Sequence, residues 1–190
     1  MANRDTPNGF IPATGQGTPH RFRLFRIDSG NGTNVFVRDV MDLDGAGVGP
    51  AAADANVSVA GVCMALYDSN MVSIGHPNSS VSTKYLPLST AGWALVALGI
   101  PGAVFIAQDD ASGTLDENSV GLTTDHVAGT GNTALAMSRH ELNGTTGGLQ
   151  FRIIGKVEEP NNAWGDNANL YVVFNECAFG GAAATAAASV

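Results

Sequence analysis

Four histidines, His20, His76, His126 and His140, are the first residues to test for chemistry. Imidazole serves both as a metal ligand and as a general base near neutral pH. Their spacing argues against both roles. No pair has the HxH or HExxH separation that brings two imidazoles to one metal. No Gly-x-Ser-x-Gly elbow offers a serine to activate. All four lie in loop-like surroundings, so turn or surface histidines are expected. Cys63 and Cys177 have no CxxC or Cys/His partner set for structural zinc. They are expected as two free thiols acting as small buried hydrophobes; one disulfide is the alternative.

The carboxylates come next. Asp42-Leu-Asp44-Gly45 has the opening of a calcium loop, but Gly47, Val48 and Gly49 supply no side-chain oxygen where further ligands are needed. A solvated acidic turn is expected there. Asp109, Asp110, Asp116 and Glu117 form a second acidic group. Two carboxylates run glycoside hydrolysis only when separated across an aromatic-lined cleft, and aromatic residues are 7% of this chain. The glycines of Gly45–Gly49 lack the strand and helix context, or the Gly-Lys-Ser/Thr ending, of a phosphate cradle. N-x-S/T sequons at Asn31, Asn56, Asn78 and Asn143 are what chance gives in a chain rich in Asn, Ser and Thr. The loop around Asn161, Asn162, Trp164, Asp166, Asn167 and Asn169 has two readings. Trp164 is an exposed contact anchor, or it caps the core while the asparagines make Asx turns. No catalytic residue, cofactor or metal is expected.

The elements that carry these residues read as short strands. Arg21–Ile27 (RFRLFRI) and 34–40 (NVFVRDV) flank a Ser-Gly-Asn-Gly turn and suggest a hairpin. Residues 41–56 read as a small-residue loop. Val57–Tyr67 suits a strand, Met71–Ile74 a short one. Tyr85–Gln108 carries no charge over 24 residues, long enough to span a bilayer. Pro87, Gly92, Gly99, Pro101 and Gly102 interrupt it, so two buried strands, 93–98 and 103–108, joined by a turn are expected instead. Residues 114–127 hold one short helical turn, capped near Thr114. Strands at 149–157 and 170–175 close the pattern. Frequent turns between short strands make the fold mainly β, a β-barrel or β-sandwich of short antiparallel strands.

Composition sets the ends and the partners. Charged residues are 14% of 190, well below an ordinary soluble domain, which suits packing against other subunits. Residues 1–38 carry +3 and the rest −11. An acidic body argues against nucleic acid. The first 20 residues show no apolar core of a secretion signal. Residues 1–20, broken by Pro7, Pro12 and Pro19, are expected as an extended N-terminal arm that reaches to a neighbouring subunit, removable without loss of the fold. Residues 21–179 are the β-rich body, a single domain or two tightly packed subdomains. Residues 180–190 are an Ala-rich tail that helicises only on contact. Arg4, Phe10, Ile11, Arg21, Arg23 and Trp164 are the expected partner-contact residues.

Several segments resemble one family. The opening MANRDTPNGFIPA, the run Pro101-Gly-Ala-Val-Phe-Ile-Ala-Gln-Asp-Asp, Ser138-Arg-His-Glu-Leu142 followed by Phe151-Arg-Ile-Ile-Gly, the Pro160-Asn-Asn-Ala loop and the closing stretch 170–179 resemble capsid decoration (cement) proteins of tailed bacteriophages. The resemblance covers most of 1–12 and 95–179, while 13–94 fits more loosely and Trp93–Ile100 is more apolar than the pattern. It implies a virion structural protein, made in the host cytoplasm and bound to the outside of an HK97-like shell. It also implies the major capsid protein as partner, a homo-oligomer, often a trimer, and no residue with a chemical role. A head-fibre or tail component is the alternative, and a virion sugar-binding module or small β-rich hydrolase the second. Neither nucleic acid nor membrane is an expected partner.

Overall fold

The computed structural model describes residues 3–17, 19–45, 47–52 and 59–179. Twelve strands lie among them: β1 (Ile11–Gly17), β2 (Phe22–Ile27), β3 (Val40–Asp44), β4 (Gly47–Pro50), β5 (Val59–Asp68), β6 (Gly92–Leu98), β7 (Ala103–Gln108), β8 (Thr123–Thr124), β9 (His126–Asn132), β10 (Met137–Leu142), β11 (Phe151–Lys156) and β12 (Asn169–Phe174). One five-stranded sheet runs β1-β7-β12-β11-β8 and a second runs β2-β6-β5-β3-β4, with β9 and β10 as a separate hairpin. Their strand ladders are all antiparallel. The mainly β sandwich read from the sequence is what the chain adopts. No described helix is long and apolar enough to cross a membrane.

Side-chain alternation decides which face is inside. In β12 the buried positions are Leu170, Val172 and Phe174, and in β11 they are Phe151 and Ile153. These meet Phe105 of β7 and Val62 and Ala97 of the second sheet in the core between the sheets. Phe151 and Phe174 meet tilted by 41° at 4.8 Å, and Phe105 meets Phe174 edge-on at 5.2 Å. Burying each of these rings stabilises the fold by about 1.5–3 kcal/mol.

At its centre the second sheet is buried on both faces. On β5, Val59 and Val62 face the first core, whereas Ala60, Cys63 and Leu66 face a second one with Ile27, Met41 and Val96. This explains why residues 59–63 form an unbroken buried run without alternation. A register shift between Cys63 and Ala65 bends the strand. The sheet also curls on itself. A Cβ at Gly47 would run into the Arg26 carbonyl, so the hairpin β3–β4 closes against β2 only because that position is glycine.

Several expectations are corrected. β2 pairs with β6, not with residues 34–40, which contribute the isolated bridge Val35–Leu86 and, at Val40, the start of β3. The supposed loop after residue 40 contains the hairpin β3–β4. Residues 71–74 supply only a bridge from Ser73 to Tyr67. The helical turn is a three-residue 3-10 turn, Glu117–Ser119, capped by Asp116 and not by Thr114. The two apolar strands 93–98 and 103–108 do form, but the turn between them carries the chain from one sheet to the other. The Ala-rich tail, 180–190, lies outside the described residues.

The largest correction concerns the N-terminal arm. Residues 3–17 lie on the body. Asn3 donates to the carbonyls of Ala163 (2.9 Å) and Asp166 (2.8 Å) and accepts from the Ala163 amide (2.9 Å). Phe10 is fully buried and stacks on Phe151 at 4.8 Å. β1 then pairs with β7 as an edge strand, the place where Pro12 is tolerated. Gly9 makes the entry possible: its φ is +65°, and a Cβ would collide with Arg38 and the Ser138 hydroxyl. Gly9→Ala is expected to cost roughly 2–4 kcal/mol through strain and overpacking. Urea unfolding checks this, and an unchanged midpoint contradicts it.

Candidate functional site

The six expected contact residues do not converge. Phe10 is core, and Ile11 is a half-buried member of β1 opposite Ile106. Arg4 is exposed, with its carbonyl accepting from Gln108 Nε2 at 2.9 Å. Trp164 is half-buried against the inter-sheet core, which favours the core-cap reading. Its neighbour Asn162 makes a local network, giving Nδ2 to the Val157 (2.8 Å) and Asn169 (2.9 Å) carbonyls. Arg21 and Arg23 alone sit together and exposed, at the start of edge strand β2.

Their surroundings form a partly exposed apolar surface on this sheet. Directly opposite residues of an antiparallel ladder share a face. Phe22 lies opposite Ala97, Leu24 opposite Leu95, and Arg26 opposite Trp93, which in turn lies opposite Tyr67 of β5. Phe22, Leu24, Leu95, Trp93 and Tyr67 therefore line one face, and none belongs to either core. Phe22 is 54% exposed. Arg26 forms an exposed ion pair with Asp28 at 2.9 Å. On the opposite face the Arg23 guanidinium lies over the Phe25 ring, 5.1 Å from its centre. An aromatic, arginine-bordered sheet edge has the composition of a protein-contact surface. The sequence showed its arginines; the apolar neighbours were invisible until β6 and β5 were placed beside β2.

A second, buried cluster corrects the histidine expectation. His126 and His140 are 1% and 4% exposed and stack at 5.4 Å. The Val40 amide donates to His140 Nδ1 at 3.2 Å, which leaves the proton of the neutral ring on Nε2, 3.6 Å from Asp39 Oδ1. Asp39 Oδ2 accepts from the Phe36 amide at 2.7 Å. Burial pushes the Asp39 carboxyl up to about 7 and pulls His140 down to about 3. His126 Nδ1 meets Gln150 Oε1 at 2.7 Å and its Nε2 meets the Ala51 carbonyl at 3.1 Å. Burial lowers its pKa as well.

This is not a Ser-His-Asp triad, although Ser138 is close. The Ser138 hydroxyl accepts from the His140 amide at 3.1 Å, and both ring nitrogens of His140 are already directed at Val40 and Asp39. A general base needs a free ring nitrogen at the nucleophile. The cluster instead ties β9 and β10 to β3, the segment after β4 and Gln150. A cavity of about 390 Å³ opens beside it, bounded by Phe36, Asp39, Ala51, Leu88, His140 and Gly129.

The remaining candidates are spent on local structure. Asp116 accepts from the Asn118 amide at 2.9 Å and caps the 3-10 turn, so it does not pair with Asp109 as a hydrolytic dyad. Asp42 and Asp44 lie on the β3–β4 hairpin and not in a calcium loop, and partial burial raises Asp42 to about 6. Among the described residues, no three His, Cys, Asp or Glu side chains are grouped to hold a metal ion. Cys63 and Cys177 are both buried and form no disulfide; they belong to different cores. Compared with protein-family models, curated proteins and solved structures, the chain matches none.

Proposed function

We propose that this chain is a virion structural protein that decorates the outer surface of a phage capsid and holds neighbouring capsomers together. The observation that carries the reading is the partly exposed stretch of the second sheet formed by Phe22, Leu24, Leu95, Trp93 and Tyr67, at the same β2 edge that carries Arg21 and Arg23 on its other side. A rigid antiparallel sandwich with such a face is suited to seat on a second protein, and the arginines favour an acidic one. The sequence resemblance supplies the major capsid protein as that partner and self-association as the accompanying state. Contacts made only in the closed shell stabilise it by mass action, because opening must also break them.

The test uses purified tailless heads stripped of this protein. Wild-type protein should co-sediment with them, and Phe22→Glu should weaken binding at least tenfold. Phe22 is exposed enough for the change to leave the fold intact. Equal binding by both proteins, or no binding by the wild type, contradicts the reading. Recovery of the protein only with tails points to the fibre or tail role. The Trp93–Tyr67 cross-strand pair favours one further reading, a sugar-binding platform. Quenching of tryptophan fluorescence by soluble glycans, lost in Trp93→Ala, would support it.

A further inference from the structure

Asp109 is the most anomalous polar group among the described residues. It is fully buried, and neither carboxylate oxygen has a hydrogen-bond partner. The amides of Ala111 and Asn167 lie close enough to favour its ionised form weakly, without a well-formed bond. Buried carboxylates are ordinarily paired, and an orphaned one needs a physical explanation.

Its neighbours make the situation worse. Four chain segments meet at the end of β7, and each brings charge. The N-terminal segment carries Arg4 and Asp5. The end of β7 carries Asp109 and Asp110. β10 carries Arg139 and Glu141, and the loop before β12 carries Asp166. Asp110 and Asp166 repel the Asp109 charge; Asp5, Asp110 and Asp109 repel that of Glu141, which Arg139 only partly offsets. The backbone fixes these groups in place. The Asp109 amide donates to the Ala168 carbonyl (3.0 Å), and the Asp110 amide to Leu142 beside Glu141 (2.9 Å). The Thr6 amide donates to Gln108 Oε1 at 2.9 Å, which sets Asp5 over the cluster.

We propose that residues 3–10 are a pH-gated strap, held across the end of β7 while Asp109 and Glu141 carry protons and loosened once the carboxyl cluster is fully charged. Burial, reinforced by the neighbouring carboxylates, raises Asp109 to about 6 and Glu141 to about 7, so the change falls between mildly acidic and mildly alkaline solution. The strap's polar anchors are few: Asn3 at the 163–166 loop, Gln108 bridging the Thr6 amide and the Arg4 carbonyl, and the Phe10 amide donating to the Arg38 carbonyl at 3.0 Å. Adding up to two negative charges beneath Asp5 opposes those contacts. Phe10 remains the hinge, because its burial does not depend on charge.

Hydrogen exchange read by mass spectrometry on the whole protein tests this. Protection of residues 3–10, corrected for intrinsic exchange and compared with β5, should fall at least tenfold between pH 5.5 and 8.5. The double variant Asp109→Asn with Glu141→Gln should keep equal protection at both pH values. Glu141→Gln alone, at a half-buried site, should shift the pH midpoint of the loss. Wild-type protection that does not change with pH overturns the proposal. So does a loss that persists in the double variant, or a midpoint unmoved by Glu141→Gln.

Discussion

Phe10→Ala should lower the unfolding free energy by roughly 3–5 kcal/mol, the cost of removing a fully buried ring and leaving a cavity. For a chain of this length that is a drop of roughly 6–20 °C in thermal midpoint. The ring has no exposure and stacks on Phe151, itself packed on Phe174, so its loss is felt across the inter-sheet core. Removing residues 1–19 should be worse, because it also strips β1 from β7 and exposes that ladder edge. The truncated chain is expected to aggregate or to unfold at room temperature. Differential scanning calorimetry of both variants decides the matter. A truncated protein with the wild-type midpoint would restore the arm reading, in which this segment serves only a neighbour.

The arm was misread for a specific reason. Three prolines and three glycines within residues 1–19 erase any period of 2 or 3.6, and composition alone then says extended and unattached. Edge strands obey a looser rule, since one side of the ladder makes no hydrogen bonds and Pro12 fits there. The hairpin β3–β4 was missed on similar grounds. Its glycines are needed for close approach to β2, and that need appears only once β2 and β4 are neighbours. By contrast, the strands containing Leu170–Phe174 and Ala103–Gln108 were legible, because their dense β-branched and aromatic content suits few other environments.

The buried histidines show where local reading stops. His126 and His140 each sit beside polar residues, as surface histidines do. Their burial is set by Ala51, 75 positions away from His126, and by Val40, 100 positions away from His140. No local signal encodes such partners. The docking face has the same character. Arg21 and Arg23 were visible in the sequence as unusual cations in an acidic chain, but the face they border is assembled from three strands.

Asp109→Asn should stabilise the protein at pH 8, which is unusual for a substitution at a fully buried position. Asp109 titrates near 6 in the folded chain, against about 4 when unfolded. The folded state therefore holds the proton that the unfolded state has already lost. Stability from this group is complete below about pH 4 and is lost as pH rises through 6. Asparagine removes that loss while preserving shape, so the gain should be on the order of 1–3 kcal/mol at pH 8 and vanish near pH 4. Glu141→Gln should behave alike, with a smaller gain because its site is half-buried and screened. The buried histidines act in the opposite sense: lowered folded pKa values mean stability lost as pH falls below about 6.5. The two trends therefore oppose each other between about pH 4 and 6.5, where Asp39, raised to about 7, acts with Asp109, and the Asp109 variant should keep a higher plateau above pH 7. Urea midpoints measured from pH 4 to 9 give both curves. If the variant is less stable at pH 8 than the wild type, the Asp109 carboxylate has a partner that compensates its charge, and the strain assigned to this end of β7 does not exist.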